Sequence, residues 1–219
     1  MIKNIIFDVG DTLFESMHSR IDIFDRILKK FGIRTTRVEI WNVWNMFKFD
    51  AQIGKISHRE AEDDFLKYFM KSAWNNAIKL LQDADAKRKY VVFPGVKPTL
   101  TNLKKRGFKI GVLTDSTYTA ENRRVAYQKL GINEYLDYVA TSHDIHAVKP
   151  DPKAFKAILK KMKAKRSESV FVGHAKDELD GARRFGLVTI GFNLDKDARA
   201  NFVAEKFSDI IKIIGELND

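Results

Sequence analysis

The stretch Asp8-Val9-Gly10-Asp11-Thr12-Leu13 directly follows the apolar run Ile5-Ile6-Phe7. A buried strand ending in aspartate presents a carboxylate at the edge of a sheet, where open α/β folds place their chemistry. Three more segments have the same form, an apolar run followed by polar residues. They are Ile110-Gly111-Val112-Leu113-Thr114-Asp115, Val148-Lys149-Pro150-Asp151-Pro152 and Val170-Phe171-Val172-Gly173-His174, the last continuing through Asp177-Glu178 to Gly181-Ala182. Together they offer a nucleophilic carboxylate, a hydroxyl, a lysine and an acidic cluster, which is a set suited to handling phosphate. A carboxylate attacks phosphorus once a cation offsets the repulsion between them. A fixed ammonium stabilises the charge that develops on the phosphoryl oxygens.

These residues need a scaffold that brings four distant segments to one edge. From Tyr90 onward the pattern alternates between strands and helices, with strands expected at Tyr90–Phe93, Phe108–Thr114, Asp137–Ala140, Ser169–Gly173 and Leu187–Phe192. The helical stretches between them end near Gly107, Gly131 and Gly186, where a left-handed C-cap favours glycine. Such alternation predicts an α/β fold, a Rossmann-like parallel sheet with helices on both faces. Ile2–Asp8 belongs to that sheet by its chemistry. The stretch that separates it from the rest has helical spacing only: Ile21, Phe24, Ile27, Leu28 and Phe31 before Gly32, then a capping box, Ser57-His58-Arg59-Glu60. That capping box opens a helix expected to bury Phe65, Tyr68 and Phe69. Trp41, Trp44 and Trp74 all lie in this region and are assigned to its core. Residues 1–15 and 90–219 are therefore expected to form the α/β core, and residues 16–89 an inserted helical bundle.

Composition narrows the class. A hydrophobic content of 44% and 16 Phe among 219 residues supply a real core and argue against disorder. No apolar run approaches the roughly 18 residues needed to cross a bilayer, and Asp8 falls too early for a secretory signal, so a cytoplasmic protein without a membrane partner is expected. With no Cys, disulfides, thiolate metal sites and cysteine nucleophiles are excluded. The net charge of +10 is densest between Lys149 and Arg166, with eight basic residues and one acidic. This segment reads as an amphipathic helix, with Phe155, Ile158, Leu159 and Met162 inward and lysines solvated, rather than as a nucleic-acid surface. A positive field also draws in small anions.

The order of the four segments resembles the haloacid dehalogenase-like (HAD) superfamily over nearly the whole chain, and the helical insertion resembles the cap that many members carry between motifs one and two. The resemblance implies a phosphatase acting on a small phosphorylated metabolite through an aspartyl-phosphate on Asp8. It implies that Thr12 orients the loop, Thr114 holds a phosphoryl oxygen, and Lys149 bridges nucleophile and phosphate. The implied cofactor is Mg²⁺, held by Asp8, the backbone carbonyl of Gly10, and Asp177 and Glu178.

Two positions depart from the family pattern. Gly10 stands where the second aspartate of motif one, the general acid, is expected. Asp11 is offset by one residue, and could reach inward only from a loop. A missing general acid costs about 100- to 10,000-fold, least with a good leaving group. His174 stands where the first acid of motif four is expected. Imidazole is a poor magnesium ligand but suits a softer divalent metal, so His174 is a further candidate ligand. His143 and His146 precede Lys149, but a three-histidine centre is set aside because scattered loop histidines are usually solvated. The alternatives to a phosphatase are a HAD-fold protein that binds a ligand with weakened catalysis and a dehalogenase-type hydrolase. Substrate identity and oligomeric state are not readable.

Overall fold

The computed structural model describes residues 1–71 and 73–219. The main sheet has six parallel strands, β1 (Asn4–Phe7), β4 (Lys109–Thr114), β5 (Tyr138–Thr141), β6 (Ser169–Gly173), β7 (Val188–Phe192) and β8 (Phe202–Ala204), in the order β5-β4-β1-β6-β7-β8. Its central strand reads Asn-Ile-Ile-Phe and is buried at every position, as a strand covered on both faces must be. Period-two alternation sends Ile5 and Phe7 to one face and Ile6 to the other, into two separate apolar clusters.

Helices cover both faces, as the alternating pattern predicts. On the Phe7 side lie α5 (Val96–Lys105), α6 (Ala120–Lys129) and α10 (Asp209–Glu216), contributing Leu100, Tyr127 and Ile210. On the Ile6 side lie α8 (Pro152–Met162) and α9 (Lys176–Phe185). Phe155, Ile158, Leu159 and Met162 of α8 all point inward, as their spacing requires. The short helix α7 (Ser142–Ile145) follows β5. Gly186 ends α9 at φ +88°, a left-handed conformation that favours glycine. Strand order reverses at β1, since the chain builds outward through β4 and β5 and then crosses back to β6. The crevice at the carboxyl ends of β1, β4 and β6 is the place where such sheets bind ligands.

The stretch between Ser16 and Tyr90 folds as α1 (Arg20–Lys30), α2 (Arg37–Gln52), α3 (His58–Met70) and α4 (Trp74–Ala86) around an apolar cluster of its own. Phe24 stacks on Phe65 with ring centroids 3.9 Å apart, and Trp44 packs edge-on against both. The capping box at α3 is present in full, with Ser57 Oγ accepting from Glu60 N (3.1 Å) and Glu60 Oε2 from Ser57 N (2.7 Å).

Three expectations need correction. Tyr90–Phe93 is not a strand of the main sheet. Its residues Tyr90–Val92 form β3, antiparallel to β2 (Phe14–Ser16) in a separate two-stranded ribbon. With Tyr90 and Val91 exposed, no helix layer covers this segment, and the sheet position it would have taken is absent. Tyr68 is 56% exposed. The buried stripe of α3 runs through Ala61, Glu62, Phe65, Leu66 and Met70, and at about 100° per residue Tyr68 falls on its far flank. Trp41 is likewise exposed, whereas Trp44 is core and Trp74 packs against it.

Candidate active site

Asp8 immediately follows β1 and donates its backbone N–H to the carbonyl of Val172 beside it (2.8 Å). Its side chain is buried at the floor of a cleft of about 750 Å³. The following residues fold back on themselves. Leu13 N donates to Val9 O (2.9 Å) and Asp11 N to Phe14 O (2.9 Å), with Val9 and Leu13 in the core and Gly10 and Asp11 at the rim. This turn needs Asp11 at φ +53°, and Asn193 Nδ2 holds the Asp11 carbonyl (2.9 Å). Asp11 therefore lines the same cleft as Asp8, as the loop reading required. Thr12 Oγ1 donates to Asp8 Oδ2 (3.3 Å) from a fully buried position. Thr114, the last residue of β4, is buried and lines the cleft alongside.

Lys149 arrives from the opposite side of the crevice. Its ammonium is fully buried and bridges two carboxylates, donating to Asp8 Oδ1 and to Glu178 Oε2 (2.8 Å). Local chemistry fixes the loop. Asp151 caps α8 through Lys153 N (2.8 Å), Pro152 occupies the first turn, and Asp115 Oδ1 accepts the backbone N–H of Lys149 (3.1 Å). Helix α9 then packs directly on this loop, because a Cβ at Gly181 would collide with Pro150. Residues three apart share a helix face, so the contact at Gly181 turns Glu178 toward Lys149. Asp177 is one position off that face. It is exposed and does not line the cleft, so of the two acids the structure brings only Glu178 to Asp8.

His174 follows β6 with Nε2 3.7 Å from Asp8 Oδ2 and Nδ1 3.1 Å from Asp195 Oδ1. Asp195 thus orients the imidazole toward the nucleophile position, the arrangement a ligating histidine uses. His143 and His146 stay outside the cleft. His146 Nδ1 pairs with Ile53 O (2.7 Å), and His143 lies beside Asp144.

The charge balance is uneven. Burial alone would favour a neutral Lys149 amine, but Asp8, Glu178 and Asp115 outweigh it and hold the ammonium far above its ordinary range. Burial and the neighbouring Asp8 carboxylate raise Glu178 despite Lys149, and burial raises Asp115. Three carboxylates thus surround one buried ammonium, which leaves an excess of negative charge among them. A divalent cation would supply the missing positive charge, so the residues fit one. The oxygen donors available are Asp8, the Gly10 carbonyl and Glu178, with His174 beside them.

A second group of potential metal donors, His58, Glu62 and Asp85, has ligand atoms within 4.8 Å of one another. Arg20 already neutralises it, donating to Glu62 (2.9 Å) and Asp85 (3.0 Å), while His58 Nε2 meets Glu62 (2.9 Å). It is an ion-pair network, and His58 Nδ1 extends it to Thr117 Oγ1 of the core (2.8 Å).

Sequence reasoning did not single out Asp115, Lys48 of α2, Arg88 or Arg123 of α6, all of which line the cleft. Asp115 follows Thr114 at a strand end, a position that could have flagged it. The three cations carry no local signal.

A buried aspartate, a lysine and an acidic helix residue thus converge at the switch point of a parallel sheet, where such folds bind ligands. A family model for haloacid dehalogenase-like hydrolases matches residues 2–186, and the chain belongs to that family. It is an enzyme of the hydrolase class. It is 26% identical over 242 aligned positions to a glyceraldehyde 3-phosphate phosphatase of Methanocaldococcus jannaschii, covering 99% of both chains. It is 28% identical over 130 positions to the pyrophosphatase PpaX of Bacillus cereus, spanning 56% of this chain and 59% of that one. Its fold is similar to that of a 2-haloacid dehalogenase from Pseudomonas syringae pv. Tomato DC3000, with a TM-score of 0.71, 21% identity, and 99% and 100% of the two chains covered. Among the described residues no helix is long and apolar enough to cross a membrane.

Proposed function

We propose that this protein is a divalent-metal-dependent phosphatase that hydrolyses a small phosphorylated metabolite through an aspartyl-phosphate on Asp8. The observation that carries this reading is the contact of the buried Asp8 carboxylate with the Lys149 ammonium at the floor of an open cleft. The Asp8 oxygen attacks phosphorus, the ester P–O bond breaks, and the alcohol oxygen leaves with the bonding pair. Water then attacks the acyl phosphate, releasing inorganic phosphate and regenerating the carboxylate. Lys149 holds Asp8 and offsets phosphoryl charge, Thr12 fixes the carboxylate rotamer, and Thr114 offers a hydroxyl to a phosphoryl oxygen. Gly10 supplies no proton to the leaving group, which leaves Asp11 or water at the rim for that task. Mg²⁺ is the proposed metal, and Asp8, the Gly10 carbonyl and Glu178 would hold it, while Asp177 lies outside the cleft. His174 beside this set would widen the choice toward manganese or nickel. When bound, the metal neutralises phosphate charge as Lewis acid. Residues 16–89 act as a cap over a core of residues 1–15 and 90–219. The phosphatase name of the relative aligned over 99% of the chain supports the same reaction class.

The test is a screen of phosphate esters against Mg²⁺, Mn²⁺, Co²⁺, Ni²⁺ and Zn²⁺, with Asp8→Asn as the control. Metal-dependent phosphate release by the wild type and none by the variant is expected. Equal rates from both would remove Asp8 as nucleophile, and release of halide from a 2-halo acid without metal would point to carbon–halogen chemistry instead.

A further inference from the structure

Lys48, Arg88 and Arg123 come from three separate segments, helix α2, the residues before β3, and helix α6. All three line the Asp8 cleft, and all three also line an adjoining cleft of about 720 Å³. Among the described residues none of them forms an ion pair. The contrast is Arg20 in the same wall, which is committed to Glu62 and Asp85.

We propose that Lys48, Arg88 and Arg123 form a subsite for a second anionic group, so that the substrate is a small phosphate ester bearing a further carboxylate or phosphate. This rests on the phosphatase reading of the Asp8 site and specifies its substrate class.

Both guanidinium groups are held in advance. Arg88 lies over the Tyr90 ring (5.4 Å) and Arg123 over Tyr118 (5.1 Å). Stacking of this kind keeps the planar fork oriented, and Arg88 commits one terminal nitrogen to a long hydrogen bond to His18 O (3.4 Å). Arg123 spends only Nε, donating to Ser116 Oγ (2.7 Å). Arg88 Nε is buried with no hydrogen-bond partner. Burial works against the Arg88 cation, with Tyr90 and Asp85 opposing this and Arg20 and Arg123 adding to it, and burial works against the Lys48 ammonium despite Asp115 and Glu178. Cations gathered in a partly desolvated cleft repel one another, and an anion is the ligand that relieves this. The acids that line the adjoining cleft are already engaged: Asp85 is paired with Arg20, and Asp115, which lines both clefts, accepts the Lys149 N–H. Asp8, Asp11 and Glu178 line the Asp8 cleft only. The cleft is therefore polar along its length, with a metal-suited end at Asp8 and a cationic end toward α6.

The experiment compares esters of similar size that differ in the distal group: ethyl phosphate (neutral), phosphoglycolate (carboxylate), and ethylene glycol bisphosphate (second phosphate). Their kcat/KM values are measured with the metal-loaded wild type, Lys48→Gln, Arg88→Gln, Arg123→Gln and Arg123→Lys. Equilibrium binding of the same compounds to Asp8→Asn is followed by calorimetry. A charged hydrogen bond typically changes affinity by about 10-fold or more. The wild type should therefore favour an anionic tail over the neutral one by at least about 10-fold. That ratio should fall toward one in the Gln variants and recover in Arg123→Lys. Whichever of phosphoglycolate and ethylene glycol bisphosphate has the larger ratio identifies the tail. Equal treatment of neutral and anionic esters, in turnover and in binding, would overturn the subsite, as would a preference that survives in the folded triple Gln variant. Selective binding of the anionic compounds without turnover of any ester would keep the subsite and refute the phosphatase reading.

Discussion

Gly10 offers a direct way to test the chemistry, because the missing carboxylate can be put back. Its φ lies outside the left-handed region, and among the described residues nothing lies within 4 Å of a Cβ built there. An aspartate can therefore enter without displacing the core, and Gly10→Asp should change stability by no more than about 0.5 kcal/mol, as for an ordinary rim substitution. The gain should appear in catalysis. A well-placed general acid contributes about 100- to 10,000-fold. The rim is open at Gly10, which leaves the new side chain unfixed, so the expected gain is at or below the bottom of that range, about 10- to 100-fold, or about 1.4–2.8 kcal/mol off the barrier. It should be selective. An alkyl phosphate leaves as a strongly basic alkoxide and needs the proton, whereas p-nitrophenolate needs little help. Steady-state kcat for glycerol 2-phosphate and for p-nitrophenyl phosphate, measured side by side with saturating Mg²⁺, separates the cases. A rise confined to the alkyl ester supports the missing-acid account. No rise on either ester, with melting unchanged and metal bound, would refute it and assign proton delivery to another group such as Asp11.

Four other outcomes follow from the site. Lys149→Met should leave Asp8 and Glu178 without their counter-charge, costing about 3–5 kcal/mol and, at about 2–4 °C per kcal/mol for a chain of this size, lowering Tm by roughly 6–20 °C by calorimetry; an unchanged Tm would show that the pair is not buried in solution. Glu178 is raised above its ordinary range by burial and by Asp8, so the folded state binds its proton more tightly than the unfolded chain. The contribution of Glu178 to the stability of the metal-free protein should then be fully present below the ordinary carboxylate range and be lost as pH rises toward about 7; Glu178→Gln should remove this slope in urea titrations, and an identical pH profile would count against it. His174→Asp should shift metal preference toward Mg²⁺ over Mn²⁺ and Ni²⁺ in activity titrations, since a carboxylate oxygen replaces an imidazole nitrogen. Finally, the helical insertion touches the core through the His58–Thr117 and His146–Ile53 hydrogen bonds; if it opens and closes as a lid, scattering curves with and without a phosphate analogue should differ, and His58→Ala should shift the free protein toward the open form.

The parts of the site that were legible in the sequence are those encoded locally. A strand ending in Asp8 and the loop Lys149-Pro150-Asp151-Pro152 each carry their geometry within a few residues, through a β-run, proline stiffening and an aspartate cap. Glu178 and Asp177 could not be separated, because neighbouring helix positions point about 100° apart and only the packing of Gly181 on Pro150 decides which one faces inward. Lys48, Arg88 and Arg123 were invisible for a stronger reason. They are remote in sequence, Arg88 and Arg123 sit in ordinary charged settings, Lys48 is a single cation between Phe47 and Phe49, and tertiary folding alone assembles them. Tyr90–Val92 reads as a strand and is one, but its partner is chosen by the returning chain at Phe14–Ser16 and not by its own β-propensity.

That pairing has a consequence for how such a molecule can be altered. Ser16 and Tyr90 stand directly opposite each other in the ribbon, so the chain leaves the sheet and comes back through one narrow doorway, with strands about 4.8 Å apart. Neither apolar cluster of the sheet draws on a residue between Ser16 and Tyr90. Seen from the sheet, everything beyond the doorway is interchangeable cargo. An Asn-Gly turn joining Ser16 to Tyr90 would close a short hairpin, leaving the buried packing of the sheet intact and Asp8 open to bulk water. Conversely, any segment whose ends lie one strand spacing apart could be hung from the same two positions, which makes this ribbon the natural seam at which to exchange one insertion for another.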